Sequence, residues 1–284
     1  MKHIAKKSLG QHFLVSQRVL DEIIEAAEIT KEDTIFEIGP GTGNLTKKLL
    51  LSPAKKIIAV EKDNRLYRSF PSVIASEAKQ SQKLPNRLKL IHGDALTLIP
   101  DLIVEKPFKV VANLPYNIAA PAIISLLSVC PTLPSSMVLM LQKEVAERII
   151  CPAGNSNRGL LTVFIELFGR AEIVTRVLKH HFSPPPQVDS AVVKIVIANA
   201  ARQSHVCHPE RSEGSRHFFA KHALRVLKAA LAGKRKKIKN SLFSTFQIPP
   251  NEAQKIAKKC GFGLDQRPEE LNIDQWRALI ENLI

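Results

Sequence analysis

Asn113, Leu114, Pro115 and Tyr116 follow a hydrophobic run, Val110 to Ala112, that reads as a buried strand. An amide, a proline-fixed turn and an aromatic ring therefore sit where a strand leaves its sheet, with the proline ring setting the local φ. Three more groups able to do chemistry close apolar runs upstream. Gly39, Gly41 and Gly43 in FEIGPGTGN let the backbone turn sharply and approach a ligand where any Cβ would clash. Glu61 ends IIAVE, and its carboxylate can accept hydrogen bonds from a pair of ribose hydroxyls. Asp94 ends LIHGD and can accept from an adenine amino group. Each alone has an ordinary reading, a tight turn or a solvated strand-end acid. All of them on four successive strand ends are much harder to obtain by chance.

Holding those groups together requires a particular alternation of elements. Short apolar runs at residues 34–38, 56–60, 87–91, 109–112 and 137–141 predict strands. Helical stretches follow several of them, at 45–51, 119–129 and 143–150. An amphipathic helix from Ser16 precedes them, with Val19, Leu20, Ile23, Ile24 and Ala27 on one face. Strands separated by helices imply a parallel sheet covered on both faces, and such sheets bind ligands beyond their carboxyl ends. Residues 171–177 and 189–197 read as two further strands joined by SPPPQ, giving an antiparallel edge and seven strands in all. Beyond residue 198 the pattern is helical, at 218–231, 251–260 and 273–284. Residues 72–82 (SVIASEAKQSQ) and 204–215 (SHVCHPERSEGS) lack apolar periodicity and read as insertions in surface loops. Both resemble peptides encoded by mobile palindromic DNA elements.

The chain has 284 residues and is 45% hydrophobic, enough for a sizeable core. Lys and Arg outnumber Asp and Glu by 41 to 26, a net charge of +15 that points to a polyanionic partner, nucleic acid before an acidic membrane. Much of the surplus falls in residues 221–240, KHALRVLKAALAGKRKKIKN, which contain no acid. Lys221, Arg225 and Lys228 share one helical face, Leu224, Leu227 and Leu231 the core-facing one, and KRKKIK at 234–239 would meet phosphates. A solvated charge run is the competing reading. Cys130, Cys151, Cys207 and Cys260 form no CxxC pair and read as reduced thiols. Cys207-His208 lacks partners at ligand spacing, so no metal is expected. The N-terminus has charge without an apolar core, and the most apolar stretch, residues 118–130, is short and interrupted by Pro121. A cytoplasmic protein is the expectation.

In order, SLGQHFL, EIGPGTGNLT, VEKD, GDAL, NLPYNI and FSPPPQVDSAVV resemble the motifs of the ribosomal RNA adenine N6-dimethyltransferases, the bacterial small-subunit enzymes in particular. The glycine loop alone would fit any methyltransferase that uses S-adenosylmethionine (SAM); NLPY and FSPPPQVDSAVV narrow the match. The resemblance spans the chain apart from the two insertions. It implies a Rossmann-like α/β fold with a seven-stranded, mostly parallel sheet and a small C-terminal all-helical domain. The implied division is a catalytic domain at 1–199 with an insertion at about 72–83, an inserted linker at 200–216 and a helical RNA-binding domain at 217–284. SAM is the implied methyl donor. The implied reaction is N6,N6-dimethylation of two adjacent adenosines in the 3′-terminal hairpin of 16S rRNA, in the small ribosomal subunit or its precursor, with a part in subunit biogenesis. A monomer without metal or membrane attachment is expected.

Carried over by position, the cofactor contacts fall on His12, Leu14, Gly39, Glu61, Asp94 and Asn113. The implied catalytic set is Asn113, Leu114, Pro115 and Tyr116, with Phe182 as a second stacking ring. The Asn113 side-chain oxygen and Leu114 carbonyl would accept both hydrogens of the adenine amino group, and Tyr116 would stack against the extruded base. For Phe182 a core aromatic beside a turn is the competing reading. The chain departs from the family at His12, often Asn, and at Ala119-Ala120, where Ser-Thr is common. Two other functions compete: the same chemistry on large-subunit rRNA, and a non-catalytic RNA-binding assembly factor. Intact Asn113 and Tyr116 favour an enzyme.

Overall fold

The computed structural model describes residues 6, 10–75, 86–102, 105–198, 213–233 and 236–284. It divides into two compact units, Met1–Ala146 with Ala171–Ile197, and Glu147–Arg170 with Ala198–Ile284.

The first unit opens with β1 (Phe13–Leu14) and α1 (Gln17–Ala27). Ser16 caps α1 by accepting from the Val19 amide, and Val19, Leu20, Ile23 and Ala27 bury its apolar face. Alternation follows: β2 (Thr34–Ile38), α2 (Asn44–Leu51), β3 (Lys56–Glu61), α3 (Asn64–Ala75), β4 (Leu88–His92), α4 (Ala95–Leu98). The chain continues through β5 (Phe108–Asn113), α5 (Ala119–Ser128), β6 (Ser136–Gln142) and α6 (Lys143–Ile149). After α7 (Leu160–Phe168) come β7 (Gly169–Val177), β8 (Phe182–Ser183) and β9 (Ser190–Ile197).

Seven strands form one sheet in the order β4-β3-β2-β5-β6-β9-β7. The pairings of β2 with β3 and β5, of β3 with β4, and of β5 with β6 are parallel, while β6 and β9 run antiparallel. The chain builds outward from β2 through β3 to β4, then returns to add β5 on the other side. That reversal opens a crevice at the carboxyl ends of β2 and β5, where open α/β sheets bind ligands. Every residue of β2 is buried, as a strand covered on both faces requires, and this includes Glu37. A separate ribbon pairs β1 with β8, Leu14 opposite Phe182.

The second unit contains α7, α8 (Glu213–Leu231), α9 (Pro250–Lys259) and α10 (Ile273–Asn282). Trp276, Leu279 and Ile280 of α10 are fully buried, and α7 packs against both α8 and α10. Residues 147–170, expected within the catalytic part, therefore group with the helical unit. On α8 the core stripe is Ala223, Val226, Leu227 and Ala230; Leu224 and Leu231, expected to face the core, are only half-buried. Lys221, Arg225 and Lys228 are exposed, as the helical spacing predicts.

Two further expectations change. Ser72 to Ala75, read as loop, form the last turn of α3, and Ile74 is 4% exposed because that turn closes over the core. Glu213 to Ser215, also read as loop, begin α8. The rest of both insertions, with Cys207 and His208, lies outside the described residues, as do Lys234 and Arg235. Among the described residues no helix is long and apolar enough to cross a membrane, and no group of three or more His, Cys, Asp or Glu could hold a metal ion.

Candidate active site

The carboxyl ends of β2, β3, β4 and β5 open into one cleft that is continuous with solvent. His12, Leu14, Gly39, Glu61, Asp94 and Asn113 all line it, and so do Leu114, Pro115 and Tyr116. Phe182 does not. It is 3% exposed in the hydrophobic core beside Leu14, because the β1–β8 pairing turns it inward. A ring so covered has no free face to offer a base in this conformation.

The floor of the cleft is the turn after β2. The Gly39 amide donates to Val60 at 2.9 Å, which ties the turn to β3. Gly41 has φ +59°, and a Cβ there would lie 3.1 Å from the Phe13 ring. Position 44 is Asn, where a dinucleotide fingerprint would have a third glycine. Its side-chain amide donates to the Leu14 carbonyl at 2.8 Å and binds the N-terminal segment to the start of α2. Asp63 makes a second tie: buried itself, it accepts from Gln11 at 3.1 Å, Lys6 at 3.3 Å and Arg65 at 2.9 Å.

Glu61 is 5% exposed, its Oε2 accepting from the Gly41 amide at 3.0 Å and its Oε1 from the Asp63 amide at 2.7 Å. Burial pushes its carboxyl up from the usual range, and those backbone donors oppose the shift. Glu37 is more strongly affected: burial raises it to about 8, against a hydrogen bond from Thr46, and the neighbouring Glu61 charge raises it further. Its Oε2 accepts from Thr46 at 2.7 Å while Oε1 is buried without a partner. Asp94 accepts from Lys62 at 2.7 Å and caps α4 through the Leu96 amide at 3.0 Å. The Lys62 bond holds its carboxyl below the ordinary value.

At the end of β5 the Asn113 side-chain nitrogen donates to the His12 carbonyl at 3.1 Å. Leu114 is buried and anchors the turn, which closes through the Ile118 amide on the Pro115 carbonyl at 3.0 Å. Among the described residues neither Asn113 Oδ1 nor the Leu114 carbonyl takes a hydrogen bond. The His12 ring stacks on Tyr116 with centroids 5.7 Å apart, and its Nδ1 lies 2.9 Å from the Pro184 carbonyl. A carbonyl can only accept, so Nδ1 is the protonated nitrogen in this contact. The Tyr116 hydroxyl meets Ser190 Oγ at 2.8 Å.

Glu37, Asp63, Gln11 and Ser190 were not singled out by sequence reasoning, although each stands in a quoted motif. An acid inside an otherwise apolar, buried run was the available signal for Glu37. The pairing of Tyr116 with Ser190, 74 positions apart, had none.

The donor set suits a cationic nucleoside cofactor. Glu61 and Asp94 offer acceptors for a ribose diol and an adenine amino group, Gly41 brings bare backbone to the cleft where a Cβ would meet the Phe13 ring, and Glu37 leaves a buried oxygen orphaned. On a Rossmann-like sheet this site defines an S-adenosylmethionine-dependent methyltransferase. The particular kind follows from the whole sequence: the family model described as "Ribosomal RNA adenine dimethylase" matches residues 2–284, and the chain belongs to that family. It is 37% identical to a ribosomal RNA small subunit methyltransferase A of Synechococcus sp. (strain CC9902), over 99% of this chain and 97% of that protein. Its identity to the protein of the same description from Dehalococcoides mccartyi (strain CBDB1) is 36%, over 97% and 87%. Among solved structures, a dimethyladenosine transferase from Plasmodium falciparum superposes with a TM-score of 0.71 at 28% identity, covering 96% of this chain and 97% of that one. The 23S rRNA methyltransferase ErmE shares the fold, with a TM-score of 0.65 at 21% identity over 95% and 99%.

Proposed function

We propose that the chain dimethylates N6 of two adjacent adenosines in the 3′-terminal hairpin of 16S rRNA, acting as a cytoplasmic monomer on the small ribosomal subunit or its precursor during biogenesis. Full-length similarity to two proteins described as small subunit methyltransferases supports this choice of RNA.

One observation carries the chemistry. The Asn113 amide nitrogen is already spent on the His12 carbonyl, so the group is held with Oδ1 as the acceptor. The exocyclic nitrogen of adenine is a poor nucleophile because its lone pair is delocalised into the ring. Oδ1 and the Leu114 carbonyl, adjacent and both free to accept, would take its two hydrogens and favour a pyramidal nitrogen with a directed lone pair. Pro115 stiffens the turn that sets their spacing. Tyr116 supplies a flat wall for the base, and orientation of this kind contributes much of the acceleration in bimolecular transfers. Bound in the cleft, SAM supplies a methyl group on a sulfonium. Glu61 and Asp94 would hold its ribose and adenine, with Gly39 and the Leu14 and His12 backbone beside it.

The exposed Lys221, Arg225 and Lys228 on α8 are the proposed phosphate contacts of the helical unit, together with Lys236. Lys237 and Lys239 are partly neutralised there by Asp265, at 2.9 and 2.8 Å. That acid is distant in sequence, so the run's freedom from acids did not reveal it.

Nucleoside mass spectrometry of small-subunit particles lacking the modification, incubated with the purified protein and SAM, tests the proposal. Two N6,N6-dimethyladenosines in the 3′-terminal fragment are expected. Modification confined to large-subunit RNA, or none in either, would overturn it.

A further inference from the structure

Tyr116 sits on a loop, and a loop is a poor platform for a ring that must hold a base within a fraction of an ångström. Its hydroxyl reaches Ser190 Oγ at 2.8 Å. Ser190 is fully buried at the first position of β9, and β9 is joined to β5 through β6. Its backbone is fixed from both sides. Ser190 pairs with Gln142 in the β6–β9 register, while the preceding Asp189 accepts from the Lys179 amide through its side chain and from the Lys143 amide through its carbonyl, each at 3.0 Å. The hydroxyl anchor therefore belongs to the rigid sheet.

The geometry of a tyrosine gives that anchor a specific effect. The phenol oxygen lies on the axis about which χ2 turns, so fixing it sets where the ring points without stopping rotation about that axis. Rotation is restrained separately by the stacked His12 ring, inclined at 26°. Two contacts from different elements thus define the position and the plane of one ring.

We infer that Ser190 is a positioning residue for methyl transfer, holding Tyr116 in the plane against which the target adenine stacks. This rests on the reading of Tyr116 as the stacking wall. Burial pushes the Tyr116 phenol upward while the Ser190 bond opposes it, consistent with a partner that engages the hydroxyl directly.

The test is a double-mutant cycle on single-turnover transfer, with SAM affinity measured by calorimetry and folding by thermal melting. Ser190→Ala should lower the transfer rate by about tenfold at saturating SAM, with RNA affinity changed by no more than about twofold and SAM affinity unchanged. Tyr116→Phe severs the same bond from the other end and should show a similar loss. The double variant should be no slower than the slower single one, since contacting residues are not additive. Ser190→Thr, which restores a hydroxyl, should recover most of the rate. Wild-type transfer by Ser190→Ala, or a double variant whose loss is the product of the singles, would overturn the inference. If Ser190→Ala does not fold, Tyr116→Phe decides: wild-type transfer there is equally fatal. Absence of transfer by the wild type would instead remove the reading of Tyr116 itself, and the inference with it.

Discussion

Glu37 shows how a single buried acid couples the cleft to pH. Its carboxyl lies at about 8 in the folded chain against an ordinary 4.5. Between those values the unfolded chain has released the proton and the folded chain retains it, so stability falls as pH rises, by about 1.4 kcal/mol per unit. Above about 8 the loss levels off. Glu37→Gln keeps an acceptor for Thr46 and has no proton to lose. In urea unfolding its stability relative to wild type should therefore climb from pH 5 to pH 8; a difference constant across that range would contradict the raised value. Glu61 titrates in both proteins, so only its coupling to Glu37 enters the comparison. Its own prediction concerns binding: Glu61→Ala should lose roughly 2–3 kcal/mol of SAM affinity with the loss of charge-assisted bonds, and calorimetry showing unchanged affinity in a folded variant would end that assignment. At this scale the sequence was most legible at the strand ends, where Gly39, Glu61, Asp94 and Asn113 all come to line one cleft. Phe182 was not, because the strand pairing that turns it inward joins residues far apart in the chain.

At the scale of elements, β2 was legible to the residue, since a strand covered on both faces is a bounded apolar run. α7 passed unread for the opposite reason. Its LLTVFIELF is apolar nearly all round, so it carries no helical period to detect. The end of α3 was lost where an insertion-like composition begins, although Ile74 still packs there. The β1 ribbon and the glycine turn yield a prediction of their own. Gly41→Ala places a methyl against Phe13 and strains a backbone at φ +59°, so it should cost stability and also displace β1 from the cleft. Gly154, with φ +86° and open space around its missing Cβ, is the control. Gly154→Ala should cost about 1 kcal/mol of stability and leave SAM affinity untouched, whereas Gly41→Ala should weaken SAM binding severalfold. Equal SAM affinities in the two variants would show that the close approach to Phe13 is immaterial.

For the whole molecule, the surplus of 41 basic over 26 acidic residues was readable from composition alone, but its distribution was not. Folding pairs Lys237 and Lys239 with Asp265 and sets Arg225 over the Phe246 ring at 4.7 Å, leaving Lys221, Lys228 and Lys236 exposed. Reversing those three charges should weaken RNA binding and flatten its log–log salt dependence by about one unit per lost phosphate contact. An unchanged slope in the folded variant would return them to simple solvation. Binding and chemistry separate most sharply at Asn113, whose amide oxygen is the proposed acceptor for the amino group under attack. The decisive measurement is the single-turnover rate of methyl transfer by Asn113→Ala, with labelled SAM at saturation and small-subunit particles as acceptor. Loss of one oriented contact of this kind commonly costs about 10²–10³ in rate. A fall of that size with RNA affinity retained is the expected result, and wild-type turnover in the variant would contradict it.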